Sequence, residues 1–168
     1  GRTAVFLGKS AAEIALIVVQ IGLILGLGVL LGARIETGFA GAVGIALLGI
    51  LFSVWFTAYS NVVAVLTRDE ESTVIAANLL QFSLLFVSTA FLPLDALPGW
   101  IRAVAAVNPV TYAVDAARAL VLGRDVMTVV EVTVFGGIWD TLVPAVVVLV
   151  AVDLVFGALA VVALRRAS

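Results

Sequence analysis

Residues 37–67 read TGFAGAVGIALLGILFSVWFTAYSNVVAVLT, a run without one Asp, Glu, Lys or Arg. At about 1.5 Å rise per residue, roughly 20 helical residues cross the ~30 Å hydrocarbon layer of a membrane. A helix satisfies its own backbone hydrogen bonds where no water is available, so a run of this length can cross and also tilt. Working outward, residues 14–33 and 72–94 are equally free of charge, and residues 141–164 carry only Asp153. A soluble reading would need four helices apolar on every side, which a chain of 168 residues could hardly hide. The chain reads as an all-α membrane protein, one transmembrane domain over 1–168, with spans predicted at about 14–33, 39–67, 73–92 and 141–164.

Composition excludes several functions. The chain is 64% hydrophobic and 12% charged, with mean hydropathy +1.28, so its net charge of −2 leaves no basic face for nucleic acid. It has neither Cys nor His, which removes the usual ligands for zinc and copper and the Cys–His and Ser–His nucleophile pairs. The first apolar stretch follows Glu13 and has no small-residue cleavage site, so it reads as a permanent helix. Gly1 replaces an initiating Met, as expected for a piece of a longer protein.

Span one holds Gly22, Gly26, Gly28 and Gly32, which form two small-xxx-small pairs. Such spacing lets helices approach closely in lipid, and the plainer expectation packs these glycines against a neighbour within the subunit. Arg34 to Thr37 form a polar turn, and Trp55 and Tyr59 are placed by their position towards the far end of span two at the membrane interface. Arg68, Asp69, Glu70, Glu71 and Ser72 make a tight connection to span three.

Residues 93–140 break the pattern, with Pro93, Pro98 and Pro109 among eight charged residues. Pro98 suits the start of a helix over Gly99 to Val107. Asn108 before Pro109 reads as an N-cap with Pro at the first helical position, opening a second helix through Leu122 with Gly123 as its C-cap. Asp115 and Arg118, three apart, can pair on one face. The alternating Val and Thr of residues 126–135 suit either a strand or an interfacial helix. These two short helices, before the last span, form an interfacial or re-entrant region over 95–125. With both termini on the cytoplasmic side, the inner face carries Arg2, Lys9, Arg68, Arg165 and Arg166 against Arg34, Arg102, Arg118 and Arg124 outside.

Two nucleotide-site lookalikes fail. Gly8-Lys9-Ser10 lacks the glycine a phosphate loop needs at position 3, which is Thr3, and Lys9 reads as a residue reaching the headgroups. Val146 to Asp153 imitates a magnesium-holding strand but sits inside an apolar run of helical length. Asp153 is costly at membrane depth and reads as either a structural hydrogen-bonding group or part of a translocation path. Gln20, Asn78 and Gln81 are the other strongly polar residues at depth, readable as helix glue or as path lining. An intramembrane aspartyl protease needs two opposed carboxylates, and only one acid lies at depth.

The stretch Phe91-Leu92-Pro93-Leu94-Asp95-Ala96-Leu97-Pro98-Gly99-Trp100-Ile101, followed by Asn108-Pro109-Val110-Thr111-Tyr112-Ala113-Val114-Asp115-Ala116-Ala117-Arg118, resembles the conserved block of type-2 ATP-binding-cassette (ABC) exporter permeases. The likeness is to the daunorubicin-resistance-type branch and lies in Leu-Pro-x-Trp, Asn-Pro-x-Thr-Tyr and Asp-x-x-Arg, in that order. The resemblance implies a six-span permease of which this chain is the C-terminal two-thirds, lacking the two front helices. It implies short helices dipping into the outer leaflet through Pro98, Trp100, Asn108, Pro109, Tyr112, Asp115 and Arg118. It also implies a second permease copy or paralogue and a separate cytoplasmic ATPase that holds ATP and magnesium, touched near Arg2, Lys9, Arg68, Asp69 and Glu70. No cofactor is expected on this chain, which does no bond chemistry. The expected role is ATP-driven export of an amphipathic drug-like or lipid-like molecule across the bacterial cytoplasmic membrane. The alternatives are a proton-coupled transporter using Asp153 and a membrane scaffold that transports nothing.

Overall fold

The computed structural model describes residues 2–91, 93–96 and 98–167. Among them run six α-helices: α1 Arg2–Leu30, α2 Gly38–Thr67, α3 Glu70–Phe86, α4 Gly99–Val107, α5 Pro109–Leu122 and α6 Trp139–Ala167. A single 3₁₀ turn, Leu94–Ala96, precedes α4. No strand forms among the described residues. Gly38–Thr67 and Trp139–Ala163 are long and apolar enough to cross a membrane by length and composition, and Ile14–Leu30 is a shorter apolar helix.

The bundle is built around α2. One flank packs against α5 and α6, where Leu48, Tyr112, Ala116, Leu120, Ala145 and Leu149 form the core. Ala116 and Ala145 are fully buried there, and small residues at a crossing let backbones approach where no water is expelled to drive association. The other contacts of α2 are with α1 and α3, both of which leave most described side chains exposed. The α1–α2 approach runs over Gly49, where a β-carbon would come within 2.4 Å of Ile21 Cδ1.

Several expectations change. The glycine pairs of α1 do not pack within the chain: a β-carbon on Gly22 or Gly26 would meet nothing within 4 Å, and one on Gly28 only Ala33, because α2 meets a different face of α1. Trp55 is packed inside the protein, 2% exposed among Phe52, Phe56 and Phe156. Helix α3 stops at Phe86, short of 92, as the Ser88 hydroxyl turns back to the Leu85 carbonyl at 2.7 Å. Residues 126–135 are neither strand nor helix, since no second strand lies beside them. Their backbone instead bonds to side chains: Val126 N–H donates to Thr141 Oγ1 at 3.0 Å, and Phe135 N–H to Asp140 Oδ1 at 2.8 Å.

Candidate functional site

The α4–α5 hairpin forms as its caps dictate. Pro98 precedes α4, and Asn108, in extended backbone, opens α5 by accepting the Val110 N–H at 2.9 Å with Pro109 at the first helical position. Gly123 ends α5 at φ +64°, left-handed backbone that glycine adopts without strain, and its N–H reaches the Ala119 carbonyl at 2.8 Å. The Asn108 amide also donates to the Leu84 carbonyl at 2.7 Å, binding the hairpin to α3. The Tyr112 hydroxyl closes the corner by donating to the Ala106 carbonyl at 2.8 Å.

Asp115 is the hub. It is fully buried, yet it receives the Thr89 hydroxyl at 3.0 Å and, on the other oxygen, the Thr128 N–H at 3.0 Å and hydroxyl at 2.6 Å. Arg118 pairs with it at 3.4 Å and spends a second N–H on the Thr89 carbonyl at 3.1 Å. A carboxylate so supplied tolerates burial, and its partners come from the α3–α4 connection, from α5 and from the loop before α6. Further bonds join α5 to the turn before α2: Glu36 N–H donates to the Val121 carbonyl at 2.8 Å, and the Thr37 hydroxyl to the Leu120 carbonyl. Asp125 and Thr141 bond across to the start of α6. One end of the bundle is thereby stitched into a polar cap.

Below this cap an apolar groove of about 760 Å³ lies between α2 and α6, lined by Gly44, Leu48, Leu120, Trp139, Leu142 and Val146 among others. A family model described as ABC-2 type transporter matches residues 1–122, which hold the first five helices. The chain belongs to the ABC-2 type transporter family. It is 30% identical over 142 residues to the daunorubicin resistance ABC transporter permease protein DrrB1 of Streptomyces coeruleorubidus, covering 83% of this chain and 45% of that protein. It is 32% identical over 104 residues to the probable doxorubicin resistance ABC transporter permease protein DrrC of Mycobacterium tuberculosis, covering 62% and 37%. A putative transport permease, ycf38 of Cyanophora paradoxa, is 30% identical over 102 residues, covering 61% and 35%. The chain thus spans less than half the length of these relatives. No solved structure matches it.

Within this ABC-2 chain the sequence-predicted residues separate into four places. Asn108, Pro109, Tyr112, Asp115 and Arg118 converge in the cap, while Pro98 and Trp100 lie at its exposed edge, with Trp100 70% exposed. Gln20 on α1 and Asn78 and Gln81 on α3 do not converge with them; all three are exposed and make no hydrogen bond among the described residues. Asp153 lies alone against the Trp55 backbone on α2.

At the opposite end, Arg68 adopts left-handed backbone at φ 54° to cap α2, and Asp69 caps α3 by accepting the Ser72 N–H at 2.8 Å. Ser72, first through its side chain and then through this N–H, holds the Asp69 carboxyl below its ordinary range. Glu70 stands in the first turn of α3, where its charge suits the helix dipole. The side chains of Arg2 and Lys9 lie outside the described residues. Sequence reasoning missed Thr89, Thr128, Asp140 and Thr141. A signal existed: a buried Asp at Asp-x-x-Arg needs donors beyond the arginine, and Thr128 and Thr89 are hydroxyls flanking the hairpin.

Proposed function

We propose that this chain is the membrane part of an ATP-driven exporter permease, moving an amphipathic drug-like or lipid-like molecule across the bacterial cytoplasmic membrane. The family match over residues 1–122 carries this reading, and the drug-resistance permease names of two relatives support the cargo class. In this reading α1, α2, α3 and α6 each cross the bilayer. The apolar Ile14–Leu30 segment reaches roughly 26 Å and the charge-free part of α3, residues 72–86, roughly 23 Å, a mismatch that local thinning accommodates.

The cap, with the α4–α5 hairpin, sits in the outer leaflet, and both termini and the Arg68–Ser72 turn face the cytoplasm. A separate ATPase subunit holds ATP and magnesium and pushes on the cytoplasmic end, where Arg68, Asp69 and Glu70 lie. Its binding and hydrolysis steps bias the bundle between inward- and outward-open states by their differential contacts. A second permease copy or paralogue completes the path, covering the exposed faces of α1 and α3 that carry Gln20, Asn78 and Gln81.

Purification of the full-length protein from its native host tests this. An ATPase subunit that copurifies stoichiometrically, and flux in proteoliposomes that needs ATP, support the reading. Flux that ignores ATP and stops when a proton gradient is collapsed supports instead a proton-coupled carrier, the reading that the unpaired Asp153 favours.

A further inference from the structure

Asp153 is the only charged residue in 141–164, near the middle of α6 and about 21 Å along the helix from Trp139. Its Oδ1 is buried without a hydrogen-bond partner, and among the described residues it forms no ion pair. The carboxyl lies against the Trp55 backbone, and the indole N–H of that same residue is buried without a partner among the described residues. Neither group satisfies the other.

Trp55 belongs to a cluster of five aromatic rings. Trp55 is edge-on to Phe52 at 5.4 Å and to Phe56 at 5.6 Å, and lies 5.7 Å from Phe156, one turn after Asp153. Tyr59 joins Phe56 at 6.3 Å and Phe156 at 6.2 Å. The Asp115 hub shows that this fold supplies donors where an acid is structural. Here α2 offers no Lys or Arg between residues 37 and 67, and α6 none between 141 and 164.

We propose that Asp153 with the rings of Trp55, Tyr59 and Phe156 binds an organic cation at membrane depth. The chemistry selects the ligand. A carboxylate in an apolar surround is stabilised by a counter-charge, and aromatic faces attract a cation of low hydration far more than an anion. The unpaired indole N–H adds a donor for a carbonyl or ether oxygen on the same ligand. An anion would be repelled, and a neutral lipid chain would leave the carboxylate unpaired. This inference rests on the permease reading and names the class of cargo; entry requires α2 and α6 to part at the ring cluster.

Equilibrium dialysis of the full-length protein in detergent tests it with two probes of one shape and opposite charge, tetraphenylphosphonium and tetraphenylborate. Wild type is expected to bind the cation in preference to the anion. Asp153→Asn is expected to weaken cation binding by about thirtyfold or more, and Asp153→Glu to retain most of it. Trp55→Phe is expected to weaken cation binding less. Equal binding of the two probes by wild type overturns the proposal without any variant. So does an Asp153→Asn protein that elutes as wild type and binds the cation unchanged.

Dialysis needs no ATP, so the two readings fail separately. ATP-driven efflux of a neutral amphipath by a protein that ignores charge overturns the cation site alone. Charge-selective binding by a protein with no ATP-driven flux overturns the exporter reading alone.

Discussion

Asp115 and Asp153 are two acids in apolar helices of one bundle, and the fold treats them in opposite ways. Asp115 is fully buried and receives bonds from Thr89, Thr128 and Arg118, while Asp153 has an oxygen shut from solvent with nothing donating to it. The difference lies in the surrounding chain. Asp115 sits where a hairpin, a loop and the α3 end meet, so hydroxyls and amides from distant segments reach it. Asp153 sits between two long helices whose neighbouring side chains are Val, Leu and aromatic rings. The first arrangement holds structure together; the second leaves chemistry available.

The largest test of that contrast sets Asp115→Ala beside Asp153→Asn. Losing Asp115 strands the buried Thr89 hydroxyl and the part-buried Thr128 N–H and hydroxyl, and the unfolding free energy is expected to fall by about 3 kcal/mol, the low end for a broken buried pair because Arg118 is part-exposed. Asp153→Asn is expected to change it by less than about 1 kcal/mol, since the buried Oδ1 has no donor to lose and the amide keeps an oxygen towards the Trp55 backbone. Thermal unfolding of both variants in detergent reads the difference, and equal losses would erase it.

Within the cap, Asn108→Ala removes both the α5 N-cap and the bond to Leu84, for an expected loss of about 2 kcal/mol in the same assay. At the other end, Arg68→Gly is expected to stabilise by about 1 kcal/mol by relieving left-handed backbone. A matching loss of ATPase binding in a pull-down would sharpen its proposed role as a contact.

The smallest expected effect is at Asp69. Its folded carboxyl titrates below the ordinary aspartate value, so its contribution to the α3 start is present above that ordinary value and fades as pH falls through the lower folded one. Hydrogen exchange at Ser72 is expected to quicken relative to the α3 interior in that acid window.

Much of this was legible from residues. The absence of charge in 37–67 and the spacing of Pro98, Asn108, Pro109 and Gly123 announce helices because crossing length and cap chemistry are local properties. The Asp115–Arg118 pair follows from helical spacing in the same way. The need for donors beyond Arg118 was legible, but not that Thr89 and Thr128 supply them, because they reach Asp115 from 26 and 13 residues away, across turns that no periodicity encodes.

The burial of Trp55 was hidden for a related reason: Phe156 meets it across the α2–α6 contact, and that contact is a tertiary fact. The α1 glycines announced a close approach, and the structure turns Gly22, Gly26 and Gly32 away from every described neighbour and leaves Gly28 facing only Ala33.

That the cap and the Arg68–Ser72 turn lie on opposite faces of one bilayer is tested most directly by single cysteines at exposed positions, because this segment contains no cysteine to compete. Val130→Cys in the cap loop and Glu71→Cys at the α3 start are each treated with a membrane-impermeant maleimide, in intact cells and in inverted vesicles. Position 130 is predicted to react in intact cells and position 71 only in inverted vesicles. Reaction of both positions from the same side would contradict the bundle described here.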